Sequence, residues 1–196
     1  MRKEDSKMQK FISFHGMGFD FDEPNTFGPW LTQYVKKFGP VHHCKFPLDR
    51  LTYKDWEQTA KDDNNCVIDE KTIIIAHSLG TLFLPKFLHK YGLKPKAVVC
   101  IAGGYTSLFC HHKELGSFAP TREDFLYVKE NVDSRYFVYS SPDRFFSEDM
   151  QKEYASLMGA ESMFLSGYGH FGRTEGVTKI PELEGLIEQI VKNGKN

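Results

Sequence analysis

The chain has 196 residues, with 25 Lys and Arg against 26 Asp and Glu, a formal net charge of −1, and four cysteines. The length suits one domain with a real core, and the balanced charge excludes the phosphate-neutralising surface that a nucleic-acid partner would require. No apolar run approaches the ~20 residues of a membrane span, the mixed-charge start Met1–Lys7 lacks the apolar stretch of a secretory signal, and Cys44, Cys66, Cys100 and Cys110 form no C-x-x-C pair, which points to free thiols in a reducing cytoplasm.

Residues 1–9 are expected to form a poorly ordered extension and 10–196 a single domain. Lys10 to His15 reads as a short buried strand ending at Gly16-Met17-Gly18. Pro29 to Phe38 reads as a helix with Trp30, Leu31, Tyr34 and Phe38 on one face, stopped by Gly39-Pro40. Val41 to Phe46 is strand-like, and Tyr53 to Lys61 is a less strongly patterned helix. The apolar run Thr72 to His77 reads as a central strand, followed by a helix from Leu79 to Tyr91 that Gly92 closes. Ala97 to Ala102 is another apolar strand, leading to Gly103-Gly104. A helix over Thr121 to Val132 opens on a capping-box-like Thr121 and Asp124. A strand follows at Tyr136–Ser140, then a helix at Ser147–Met158 closed by Gly159, a strand at Glu161–Leu165, and a terminal helix at Pro181–Val191. Such alternation predicts an α/β fold with about six parallel strands and helices on both faces, a three-layer sandwich. Sites in such sheets gather at the carboxyl ends of the strands.

The segment Ala76-His77-Ser78-Leu79-Gly80 lies where the central strand turns into a helix. This is the layout of a nucleophile elbow, G-x-S-x-G with Ala76 in the first small position. A strained turn projects the serine hydroxyl from the sheet, and neighbouring backbone leaves room only for small residues two places either side. The same pentapeptide also suits an ordinary buried strand with a serine N-cap. A nucleophilic serine needs a base and an orienting acid, here in the chain order Ser, Asp, His. Asp143 lies just past the strand Tyr136–Ser140, and His170 just past Glu161–Leu165, in Gly169-His170-Phe171. All three candidates, Ser78, Asp143 and His170, thus fall on one edge of the sheet. Asp143 beside Pro142 also suits a simple turn. The rival acids are worse placed, Asp149 inside a predicted helix and Asp133 ahead of a strand.

Two backbone N–H groups are expected to form the oxyanion hole: that of Leu79, after the nucleophile, and that of Met17 in the glycine-rich loop, with Gly16 the alternative. Gly16, Tyr105, Phe109 and Phe171 are the candidate pocket residues, and 105–120 reads as either a short lid or a packed loop. His77 is assigned packing and hydrogen bonding, not proton transfer. No metal site is expected. Adjacent strand residues such as His42 and His43 point to opposite faces and chelate poorly, and Cys110-His111-His112 lacks separated partners.

The run from Asp69 to Gly80, the Asp143 loop and Gly169-His170-Phe171 together resemble the small α/β-hydrolase-fold serine hydrolases that include the retinoblastoma-binding serine hydrolase and the bacterial YdeN-like proteins. The resemblance spans nearly the whole chain. It implies a compact α/β-hydrolase core, a Ser78–His170–Asp143 triad and no cofactor. Family elbows usually carry Gly where this chain has Ala76, and Pro85 within the following helix removes a backbone N–H and is expected to kink it. The expected activity is hydrolysis of an ester or amide of a small, modestly apolar acyl group. Two alternatives stand beside it: a thioesterase or acyltransferase with the same triad, and a protein-binding module that keeps the fold without turnover. A protein partner is suggested by the family resemblance alone.

Overall fold

The computed structural model describes residues 8–18, 20–104 and 113–193. In chain order its elements are β1 (Lys10–Phe14), α1 (Phe27–Val35), β2 (Val41–Cys44), α2 (Tyr53–Asp62), β3 (Thr72–His77), α3 (Leu79–Tyr91), β4 (Ala97–Ile101), α4 (Lys113–Gly116), α5 (Arg122–Asn131), β5 (Ser134–Ser141), α6 (Glu148–Met158), β6 (Glu161–Ser166) and α7 (Glu182–Lys192). The six strands form one sheet in the order β2-β1-β3-β4-β5-β6, and every neighbouring pair is parallel. All carboxyl ends therefore lie along one edge. The chain leaves β1 for one side of the sheet and returns on the other at β3, which places a crevice at that switch point.

Strand alternation divides the core in two. Ile12, Phe14, Ile74, Val98, Cys100 and Phe137 face α2, α3, α5 and α6. Phe11, Ile73, Ile75, Val99, Ile101 and Val138 face α1 and α7. This is the expected three-layer α/β/α arrangement. The strands are not uniformly apolar, however: β6 is an edge strand with mostly exposed side chains, Phe164 among them.

The largest differences from the sequence pattern are at α1, at β5, and at β2, which ends at Cys44 and not at Phe46. Helix α1 begins at Phe27, since Thr26 caps it by accepting from the Gly28 N–H. It ends at Val35, and Phe38 reaches the core from the turn beyond. Strand β5 is longer than expected and runs to Ser141. Of the segment 105–120, Tyr105, Phe109 and the Cys110-His111-His112 cluster lie outside the described residues. Leu115 and Phe118 are buried in the core, Phe118 edge-on to Trp56 at 5.0 Å, so this part is packed and not a free lid. At Thr121 the capping box forms in full, with hydroxyl and carboxylate each accepting the other residue's backbone N–H.

Pro85 does not interrupt α3, which remains helical from Leu79 to Tyr91. The carbonyl that the missing N–H would have bonded is that of Thr81, four residues earlier. The buried Tyr154 hydroxyl, from α6, donates to that carbonyl at 2.6 Å. Tyr154→Phe should leave the carbonyl without this donor and cost about 1–3 kcal/mol. Urea denaturation would show the loss as a lower midpoint with an unchanged slope, and an unaltered midpoint would refute the pairing.

Candidate active site

Ser78 sits between β3 and α3 with φ 52° and ψ −118°, a conformation that non-glycine residues rarely adopt. Its N–H donates to the Ile101 carbonyl on β4 at 3.0 Å, and its own carbonyl accepts from the Thr81 N–H and hydroxyl. The elbow is thus pinned to the sheet on one side and to the helix on the other. Gly80 is needed two residues on because a Cβ there would lie 2.3 Å from the Phe14 carbonyl oxygen. The first N–H groups of α3, that of Leu79 included, lie in the turn that lacks intrahelical acceptors.

His170 and Asp143 arrive from the ends of β6 and β5. The His170 Nε2 is 2.8 Å from the Ser78 Oγ, and its Nδ1 is 2.8 Å from the Asp143 Oδ2. The other carboxylate oxygen of Asp143 accepts from the N–H groups of Phe145 and Phe146 at 2.7 and 3.2 Å, and the Asp143 side chain is fully buried. Asp143 therefore receives Nδ1–H, which leaves Nε2 as a lone-pair acceptor for the serine proton. The loop that carries His170 turns through positive φ at Gly167, Gly169 and Phe171. It is tied down by Tyr168 N–H donating to the Ser140 hydroxyl at 2.9 Å. Asp149 lies in the first turn of α6 and Asp133 precedes β5, so neither is the acid at His170.

His77, assigned packing and hydrogen bonding in the sequence, is buried with its Nε2 3.0 Å from the His170 carbonyl. The bond requires Nε2–H, so the imidazole steadies the backbone of His170. Burial, followed by the neighbouring His170, lowers its pKa to about 3. Between about pH 6.5 and pH 3 the unfolded chain protonates this residue and the folded one does not, so stability falls as pH falls through that window. At pH 5 the cost is about 2 kcal/mol. His15 shifts in the same direction for the same first reason, burial. Urea midpoints near pH 7.5 and 5 should drop less in His77→Gln than in the wild type, and equal drops would sink this assignment.

His15 also shapes the loop after β1. The Phe46 N–H donates to its Nε2 at 3.0 Å, so Nδ1 carries the proton and donates to the Gly16 carbonyl at 2.7 Å. This fixes the plane of the Gly16–Met17 peptide. A Cβ on Gly16 would stand 2.8 Å from the Ser78 Cβ, so glycine is what lets this loop lie against the serine. Neither role of His15 was read from the sequence, because its partners are 31 residues away and on the next peptide.

Beside the three residues lies a cavity of ≈ 100 Å³ whose walls include Met17, Ser78, Phe145, His170 and Arg173. Two pocket assignments need correction. Phe171 does not line it: its positive φ turns the ring into the core, fully buried and stacked on Tyr168 at 5.4 Å. Gly16 is not among the residues that line it and lies against the Ser78 side chain instead. Phe145, Arg144 and Arg173 were missed, although each directly flanks a loop that carries a triad candidate.

A family model described as "Serine hydrolase" matches residues 18–189. No curated protein is significantly similar in sequence. Among solved structures the chain is similar to the ydeN gene product from B. subtilis, with TM-score 0.80 and 21% identity over 94% of this chain and 100% of that one. It is similar to a carboxylesterase of the thaumarchaeon Nitrososphaera gargenis, with TM-score 0.73 and 13% identity over 96% and 93%. A yden-like hydrolase of Pectobacterium atrosepticum gives TM-score 0.68 and 11% identity over 96% and 94%. At these identities the structural matches establish a shared fold.

Proposed function

We propose that this chain, which belongs to the serine hydrolase family, cleaves esters or amides of short acyl groups through Ser78, His170 and Asp143. The observation that carries the reading is the continuous chain of two 2.8 Å contacts from Ser78 Oγ through the His170 ring to the buried Asp143 carboxylate. Ser78 attacks the substrate carbonyl as its proton passes to His170 Nε2. Asp143 holds the imidazole in the required tautomer and stabilises the imidazolium. The N–H groups of Leu79 and Met17 receive the oxyanion, the latter held in orientation by His15. Protonated His170 then releases the leaving group, and water, deprotonated by the same ring, frees the acyl group from Ser78.

The cavity supports a short acyl chain. At ≈ 100 Å³ it is smaller than the ~150 Å³ void that admits benzene, and the Phe145 ring packs edge-on against His170 at 4.6 Å as an apolar wall. The described cysteines are free thiols, which fits work in a reducing cytoplasm. The test is intact-mass labelling of the wild type with a fluorophosphonate. One adduct per chain, on Ser78, is expected. A folded chain that takes up no label would overturn the reading in favour of a binding module. A panel of acetyl to octanoyl esters and the matching thioesters would then separate an esterase from a thioesterase.

A further inference from the structure

Strand alternation places His42 and His43 on opposite faces of β2, as expected, but it also places His42 and Cys44 on the same face. His43 turns to Ser13 and Thr32. His42 and Cys44 turn instead towards the end of α2 and the turn that follows it, Asp63-Asn64-Asn65-Cys66. The His42 Nε2 is 2.5 Å from the Asp63 Oδ2, and the Cys44 Sγ is 3.0 Å from the Cys66 Sγ. One ligand atom from each of His42, Cys44 and Asp63 lies within 4.8 Å of the others, while the Cys66 Sγ stands outside that group and meets it only at Cys44. The turn itself is built to present two of the groups together. The Cys66 N–H donates to the Asp63 carbonyl at 2.9 Å, and the Asn65 N–H occupies Asp63 Oδ1 at 2.9 Å, which leaves Oδ2 for another partner.

We propose that His42, Cys44, Asp63 and Cys66 form a structural zinc site, separate from the serine centre and independent of the function assigned to it. The donor set is two sulfurs, one imidazole and one carboxylate, the combination a borderline-soft tetrahedral ion takes and a hard cation does not. With Zn–S at about 2.3 Å, two thiolates on one tetrahedral zinc stand about 3.7 Å apart, so the sulfurs need to open by less than an ångström, and the Cys66 side chain, outside the group of three, must turn towards His42 and Asp63 to become the fourth ligand. Four protein ligands close the coordination sphere, which makes the site structural and not catalytic. His42 and Asp63 are about a quarter exposed, with side chains 27% and 21% accessible, and give the ion a way in, while Cys44 is buried. Binding releases two thiol protons to solvent. His42 keeps its single proton but moves it to Nδ1, freeing Nε2 for the metal, and Asp63 binds as the carboxylate. The need is mechanical: β2 is a four-residue edge strand paired on one side only, and the ion would staple it to the end of α2.

The test uses the reduced full-length chain, stripped of metal and titrated with cobalt(II). Expected are one equivalent bound, intense tetrahedral d–d absorption with a thiolate charge-transfer band, displacement by one equivalent of zinc, and a higher thermal midpoint with zinc. Cys66→Ser and Asp63→Asn, both at the accessible end of the cluster, should each weaken zinc binding by about 100-fold or more. Ser78→Ala should retain the full signal, so that failure of the serine reading and failure of this one are distinguishable. Absence of the cobalt spectrum from the folded wild type, or its persistence in both Cys66→Ser and Asp63→Asn, would overturn the site. So would a reduced wild-type chain whose thermal midpoint zinc leaves unmoved.

Discussion

Ser78→Ala is expected to abolish fluorophosphonate labelling and to lower kcat for any accepted ester by about 10⁵–10⁶-fold. The residue's fold role predicts little loss of stability, because the contacts that hold the elbow are made by its backbone: the N–H to Ile101 and the carbonyl to Thr81. The hydroxyl contributes only the 2.8 Å contact to His170. His170→Ala should cost nearly as much, since without the base the hydroxyl stays protonated. The double variant should be no worse than either single one, because groups that act as one unit are not additive. What survives should be a residual acceleration over water of about 10³–10⁴ from the oxyanion donors and binding alone. Multiplicative losses in the double variant would show that the two residues act in different steps, which the proposed mechanism forbids.

The second large effect is at Asp143. Asp143→Asn is isosteric, and its amide oxygen can still accept from Phe145 and Phe146, so the loop should hold its shape. The amide NH₂, however, would face Nδ1 where the carboxylate oxygen stands at 2.8 Å. An NH₂ cannot accept Nδ1–H, so the ring adopts the opposite tautomer and Nε2 carries the proton when it should receive one. The expected loss is about 10⁴-fold in kcat, with KM and the thermal midpoint close to wild type. A fall in KM-dependent binding with kcat preserved would instead make Asp143 a structural turn residue, the role its place beside Pro142 also suits.

Much of this was legible because its causes are local. The strand–Ser78–Gly80–helix passage is recognisable from a few residues, since the strained turn and the close approach of Phe14 restrict which side chains fit. The Thr121–Asp124 capping box is written in four residues. Misplaced features have longer causes. The apolar face of Trp30, Leu31, Tyr34 and Phe38 places α1 from Pro29, yet Thr26 caps the helix at Phe27 with its hydroxyl anchored on Glu23. Phe171, a candidate pocket residue in the sequence, has a positive φ and a ring fully buried in the core.

By itself, then, the sequence determined the alternation of strands and helices, the parallel sheet that alternation demands, and the three residue types at strand ends that suit acyl transfer, since periodicity, caps and turns are set by neighbours in the chain. Tertiary structure alone decided that the carbonyl freed by Pro85 has the Tyr154 hydroxyl 73 residues on, and that His77 steadies His170 across 93 residues. It also decided that His42, Cys44 and Asp63 meet at one edge of the sheet, with Cys66 against Cys44. Hydrogen bonds and ligand sets of this kind depend on which faces packing brings together, and that is fixed only when the helices close over the sheet.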